Sequence, residues 1–247
     1  MYACSGTISE EKAQHISGQL FSLNFWEFCS INYLYYIHDP MCSWCYAFKP
    51  VLEQLRQQLP KELGFISLLG GLACDTDSPM PAEMRQQLHA TWQRIEQKVP
   101  GIQFNFDFWN DWQQTHPRRA TYPACRAVIA AHSFDKKNDN NDHNYEALMI
   151  NAIQKAYYQQ ALNPSDNPVL IKLAGSVGLD EQLFCSELQA EQTQHELDKQ
   201  ISQCRQMNIH SYPSFILKID QSFWPVSINY LNPDSILETI NMLLDVE

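Results

Sequence analysis

Cys42 and Cys45 stand where the chain changes its hydrophobic period, and that placement constrains the fold more than any other feature of the sequence. Upstream, Ile31 to His38 (INYLYYIH) is rich in β-branched and aromatic residues and stops at Asp39-Pro40, which reads as a buried strand closed by a turn. Downstream, Phe48, Val51, Leu52, Leu55 and Leu59 recur every three or four residues, so a helix is expected from Ser43 to about Leu59, with a kink at Pro50. Gly64 to Leu69 (GFISLL) forms a second strand candidate, closed by Gly70-Gly71. Strand, helix and strand of these lengths imply a right-handed parallel crossover, the beginning of an α/β fold.

From about Pro79 to Met207 the pattern turns helical, through PAEMRQQLHATWQRIEQKV, PACRAVIAAH, YEALMINAIQKAYYQQAL, DNPVLIKLAGSVG and EQTQHELDKQISQCRQM. The polar stretch DKKNDNNDHN, Asp135 to Asn144, reads as a solvated loop between two of these helices. Strands return at SFILKI and SFWPVSI, and Asn232-Pro233-Asp234 opens a last helix. The expected organisation is an N-terminal extension at 1–30, a strand-helix-strand part at 31–78, a helical insertion at 79–207 and a closing part at 208–247. The central sheet should hold about four or five strands, with the insertion covering the edge that carries the two cysteines.

With 28 acidic against 17 basic residues, the formal charge of -11 repels phosphate backbones and anionic lipid surfaces, so neither nucleic acid nor membrane is an expected partner. The apolar stretch from Leu20 to Ile37 carries Asn24, Glu27 and Asn32 and reads better as strand than as a membrane span. Neither a basic leader nor a small-residue cleavage site opens the chain, and six of its eight cysteines are scattered, so a cytoplasmic, reducing location is expected.

At a strand-to-helix junction the unpaired N–H groups of the first helical turn carry roughly half a positive charge, which favours a thiolate at Cys42. Cys42 is therefore the candidate nucleophile. Cys45, about one turn on, is placed to attack a mixed disulfide formed by Cys42 and release the substrate. Trp44, between them, should shield the sulfurs or offer substrate a flat apolar surface. The rival for such a pair is half of a zinc site, but neither a second CxxC nor an H-x3-5-H accompanies it, and no metal is expected. A second constellation, Ser211-Tyr212-Pro213, precedes a late strand; a cis bond at Pro213 would leave the Tyr212 backbone free to pair with an extended substrate. Phe104, Phe106, Phe108, Trp109 and Trp112 either pack the insertion or line a groove for unfolded peptide, packing being the commoner use. Arg118, Arg119 and Arg126 read as ion-pair partners rather than an anion site. Cys74, Cys125, Cys185 and Cys204 read as buried free thiols, with Cys74 the first candidate for a third redox residue.

Strand, CxxC at a helix start, Pro50 five residues beyond Cys45, a helical insertion and a late Tyr-Pro before a strand together resemble the DsbA family of the thioredoxin superfamily. HDPMCSWCYAFKP, LGGL, PMPAEM, FNFDFW, TYPACRAVIAA, AIQKAYY and NPSD are more similar still to its FrnE-like branch. The resemblance covers about Asn32 to the C-terminus. It implies a thioredoxin fold with a large all-helical insertion and a cytoplasmic thiol-disulfide oxidoreductase or protein disulfide isomerase. Cys42 and Cys45 would be the redox pair, Trp44, Tyr212 and cis-Pro213 would contact substrate, and no cofactor beyond the dithiol would be needed. Protein or peptide thiols and disulfides would be the substrates, with glutathione or a thioredoxin-type reductant as recycling partner. In this sequence Tyr36 occupies the position, six before the first cysteine, where many thioredoxin-fold enzymes carry a buried acid, so His38 or Asp39 is the nearest candidate for proton handling. Two rival functions share the sequence: a kappa-type glutathione transferase or isomerase, which would place serine where Cys42 stands, and a metal-binding or chaperone-like module using the CxxC as ligand.

Overall fold

The computed structural model describes residues 32–110, 116–137 and 144–245, all within the unit spanning 31–247. The extension at 1–30, Ile31, Trp112 and residues 138–143 of the polar stretch lie outside the described residues. Four strands, β1 (Tyr33–His38), β2 (Gly64–Leu69), β3 (Ser214–Ile219) and β4 (Ser222–Val226), form one sheet in the order β2-β1-β3-β4. β1 pairs parallel with β2 and antiparallel with β3, and β3 pairs antiparallel with β4. This is the expected mixed α/β sheet of the thioredoxin fold.

β1 is apolar at nearly every position because both of its faces are covered. Leu34 and Tyr36 face Phe48, Val51 and Leu55 of α1 (Ser43–Gln58) and Ile236 and Ile240 of α8 (Pro233–Leu244). Tyr35 and Ile37 point the other way, towards Leu68, Ile216 and Cys204. Pro50 lies inside α1 on its exposed side rather than ending it. β4 forms the sheet edge, where Pro225, which has no N–H to offer a further strand, is tolerated. It stops at Val226, short of the Ile228 expected from the alternation.

Between β2 and β3 lie α2 (Ala82–Lys98), α3 (Tyr122–Lys137), α4 (Tyr145–Gln159), α5 (Asn167–Ser176), α6 (Glu181–Leu188) and α7 (Glu191–Gln206). The α6 helix escapes periodicity because it has only two turns, but Asp180 marks its start by accepting from the Gln182 and Leu183 N–H groups. The polar stretch is not loop from its first residue. α3 runs on to Lys137, and the Asp135 carboxylate accepts from the Tyr145 and Glu146 N–H groups at the start of α4, where the helix dipole favours it.

As far as Trp109, the aromatic run packs in the core rather than lining a groove. Trp92, 1% exposed, is ringed by Phe104, Phe106, Phe108, Trp109, Tyr157 and Tyr158 at centroid distances of 4.9 to 6.1 Å. Arg118 pairs with Asp77 and Asp166, and Arg126 with Asp75, as internal ion pairs. Two cysteines depart from expectation: Cys74 is exposed, in the open segment after β2, and Cys185 on α6 is half-buried. Cys125 and Cys204 are buried. No helix among the described residues is long and apolar enough to cross a membrane.

Truncating Trp92 to alanine empties the centre of this cluster and should cost about 3–5 kcal/mol, read as a lowered urea midpoint.

Candidate active site

The turn that delivers the two cysteines is built on one carboxylate. Asp39, 0% exposed, accepts from the Met41 N–H (2.8 Å), the Leu72 N–H (2.8 Å) and the Thr121 hydroxyl (2.6 Å), and the Cys125 thiol donates to it at 3.5 Å. One side chain therefore ties the β1–α1 turn to the segment after β2 and to the start of α3. The Asp39 carbonyl also accepts from the Cys42 N–H at 3.0 Å, setting Cys42 as the N-cap of α1 with φ -85 and ψ 115. The Cys42 carbonyl takes the Tyr46 N–H, so the helix begins immediately behind the sulfur and its first-turn N–H groups lie beside it.

The second wall comes from a part of the chain 170 residues away. The Tyr212–Pro213 peptide is cis, and the Cys42 thiol donates to the Tyr212 carbonyl at 3.4 Å. Tyr212 is placed by its side chain: the hydroxyl end of the ring packs against Gly70, where any Cβ would overlap it, and the hydroxyl donates to the Gly70 carbonyl at 2.7 Å. Gly70 in turn donates its N–H to the His38 carbonyl at 2.8 Å. Burial keeps the Tyr212 hydroxyl protonated, its pKa pushed up to about 12. Tyr212 thus offers the thiol its backbone, while its ring works as a positioning element.

Both sulfurs are sheltered, Cys42 being 5% and Cys45 2% exposed. Burial pushes the Cys45 thiol well above its ordinary value, the adjacent Cys42 pushes it further, and a hydrogen bond from the Asp39 backbone N–H works the other way. Trp44 is half-buried rather than free, packed on Tyr230 at 4.9 Å, and Tyr230 stands edge-on to Phe48 at 5.7 Å.

His38 does not reach the sulfurs through a hydrogen bond of its own. Its ring stacks on Tyr36 at 5.0 Å, and Nε2 pairs with the Ser67 hydroxyl at 2.8 Å. Ser67 lines a cavity of about 250 Å³ with His132, Glu146, Glu196 and Gln200, and neither active-site cysteine nor Pro213 contributes to its wall. Burial lowers the His38 pKa and keeps the imidazole neutral. Sequence reasoning missed Thr121 and Gly70; the Gly-Gly after β2 was the available signal for the second, and nothing local marks the first. Among the described residues no group of three or more His, Cys, Asp or Glu side chains gathers as metal ligands.

The model of the DSBA-like thioredoxin domain matches residues 36–231. Among solved structures, the chain is similar to a putative protein disulfide isomerase from Nitrosomonas europaea, with a TM-score of 0.73 and 24% identity over 87% of this chain and 98% of that one. It is also similar to the cytosolic disulfide reductase DsbM from Pseudomonas aeruginosa, at TM-score 0.66 and 23% identity over 87% of this chain and 100% of that one. A probable DsbA oxidoreductase from Streptomyces coelicolor gives 0.62 and 16% over 87% and 91%. No curated protein sequence matches the chain.

Two outcomes follow from the turn and its neighbour. Asp39→Ala strands the buried Met41 N–H, the half-buried Leu72 N–H and the buried Thr121 hydroxyl and should cost about 3 kcal/mol or more in urea unfolding, with Asp39→Asn costing less because it keeps one acceptor oxygen. His38 has a folded pKa below 6.5. Above 6.5 neither folded nor unfolded chain protonates it; below 6.5 the unfolded chain takes up the proton first, so stability falls as pH drops. Urea midpoints from pH 7.5 to 5.5 should show this loss, and His38→Gln, which retains a partner for Ser67, should lack that component.

Proposed function

The chain belongs to the DSBA-like thioredoxin domain family, and from that membership we propose that it is a thiol-disulfide oxidoreductase working on protein or peptide disulfides through Cys42 and Cys45. The observation that carries this reading is the Cys42 sulfur, held at the N-cap of α1 against the carbonyl that precedes cis-Pro213. Three requirements of disulfide exchange meet there: a thiol at a helix start, a second thiol one turn away, and backbone beside the sulfur on which an extended substrate can dock.

The Cys42 thiolate attacks one sulfur of a substrate disulfide. The other substrate sulfur leaves with the bonding electron pair and takes up a proton. Cys45 then attacks the Cys42 sulfur of the mixed disulfide, the bond to substrate breaks, and the second substrate thiol departs. The substrate has gained two electrons, and Cys42–Cys45 is oxidised. The same steps in reverse form substrate disulfides, and a small thiol of the glutathione class returns the pair to the dithiol. Glutathione is the preferred candidate because the similar Pseudomonas aeruginosa reductase has been solved with GSH. That protein is described as cytosolic, which accords with a cytoplasmic assignment here. The local strings around Cys42, Thr121 and Asn163 support placement in the FrnE-like branch. Tyr212 and Pro213 hold the substrate backbone in this scheme, and Trp44 covers the exchanging sulfurs.

Equilibration in glutathione buffers, followed by thiol trapping, should give a reversible two-electron transition that Cys42→Ser abolishes. A potential near about -270 mV assigns reductase work and one above about -200 mV oxidase or isomerase work. A wild-type protein with no transition in that range overturns the proposal.

A further inference from the structure

Thr121 is 0% exposed and stands immediately before α3, its carbonyl accepting the Cys125 N–H at 3.0 Å. A threonine in that position commonly caps its own helix, its side-chain oxygen accepting from the N–H two or three residues on. Pro123 has no N–H to give, and the Thr121 hydroxyl is taken up by groups from two other segments. It donates to Asp39 Oδ2 at 2.6 Å and accepts from the Ala73 N–H at 3.0 Å. The Thr121 and Tyr122 N–H groups both donate to the Ala73 carbonyl, at 2.9 and 3.2 Å, so the same segment is held twice.

Each of the two partners leads to one side of the Cys42 sulfur. Asp39 leads to the turn: its Oδ1 accepts from the Met41 N–H and its carbonyl from the Cys42 N–H, which fixes the extended backbone of Cys42 at the start of α1. Ala73 leads to the segment that opens at Gly70, whose carbonyl accepts from the Tyr212 hydroxyl. The Tyr212 carbonyl is in turn the acceptor of the Cys42 thiol. The Leu72 N–H, donating to the same Asp39 oxygen as Thr121, joins the two paths. One hydroxyl therefore sets the CxxC turn in register with the wall in front of cis-Pro213.

We propose that Thr121 is a positioning residue for disulfide exchange, its hydroxyl bridging Asp39 and Ala73 so that Cys42 is held at the Tyr212 carbonyl in the geometry that reacts with Cys45. It acts through Asp39 and Ala73 rather than on the sulfurs themselves. Closing a disulfide within one chain depends on such positioning, because two thiols held in the reacting geometry have a high effective concentration. Equilibration with glutathione measures that concentration. Cys42 and Cys45 give up two electrons and two protons to glutathione disulfide; the Cys42–Cys45 bond forms, the glutathione S–S bond breaks, and two glutathione thiols are released.

This inference rests on the oxidoreductase reading, and the two fail in different ways. Thr121→Val keeps the shape of the side chain and removes the hydroxyl, whereas Thr121→Ser keeps the hydroxyl. Melting curves establish that each is folded at the assay temperature. In Thr121→Val the equilibrium constant with glutathione should fall about tenfold, the scale of one buried hydrogen bond, which makes the potential about 30 mV less negative for this two-electron couple. Reduction of a peptide disulfide by the dithiol form should slow by about the same factor. Thr121→Ser should stay within about twofold of the wild-type protein in both. A folded Thr121→Val that matches the wild-type potential and rate overturns the assignment. So does a folded Thr121→Ser with a displaced potential, whether or not Thr121→Val folds. A wild-type protein with no glutathione-linked transition overturns the oxidoreductase reading instead.

Discussion

The Asp39 carboxylate holds the site together. Its two oxygens take two backbone N–H groups, a hydroxyl and a thiol from three separate stretches of chain, all but the Leu72 N–H fully buried. A polar group so deep is tolerable only because it is this fully hydrogen-bonded. The consequence is geometric: the turn that ends β1, the segment that follows β2 and the first turn of α3 cannot move independently, so the helical segment and the sheet meet at a fixed angle around the cysteines.

On that frame the candidate site is a junction. Cys42 is delivered by a strand-to-helix turn, and its partner wall by the strand that returns after the helical segment. The coupling between them is a close contact between Tyr212 and Gly70 that only glycine permits. The helices contribute by mass rather than chemistry. Their aromatic core around Trp92 continues through Tyr158 and Tyr46 to the back of α1, so the helix that presents the cysteines is braced on both sides.

Electrostatically the site is economical. The Asp39 carboxylate is committed to hydrogen bonds that hold the turn, and His38 is neutral and turned towards Ser67.

Local pattern determined much of this. The β-branched and aromatic run that ends at His38, the three-and-four spacing from Phe48 to Leu55 and the proline after Tyr212 each report backbone state or burial through neighbours a few residues away, so β1, α1 and the CxxC junction were legible from the sequence. A two-turn helix such as α6 offers too few periods to be seen. What Asp39 does could not be read, because its partners lie far along the chain: Thr121 is 82 residues away and Cys125 is 86. Cys74 and Cys185 looked like core thiols by residue type, and only the packing of the surrounding segments left the first exposed and the second half-buried. The sequence by itself determined where the two thiols sit and which elements carry them. The tertiary structure decided which groups surround them, because hydrogen bonds between distant segments depend on how the sheet and helices close on one another.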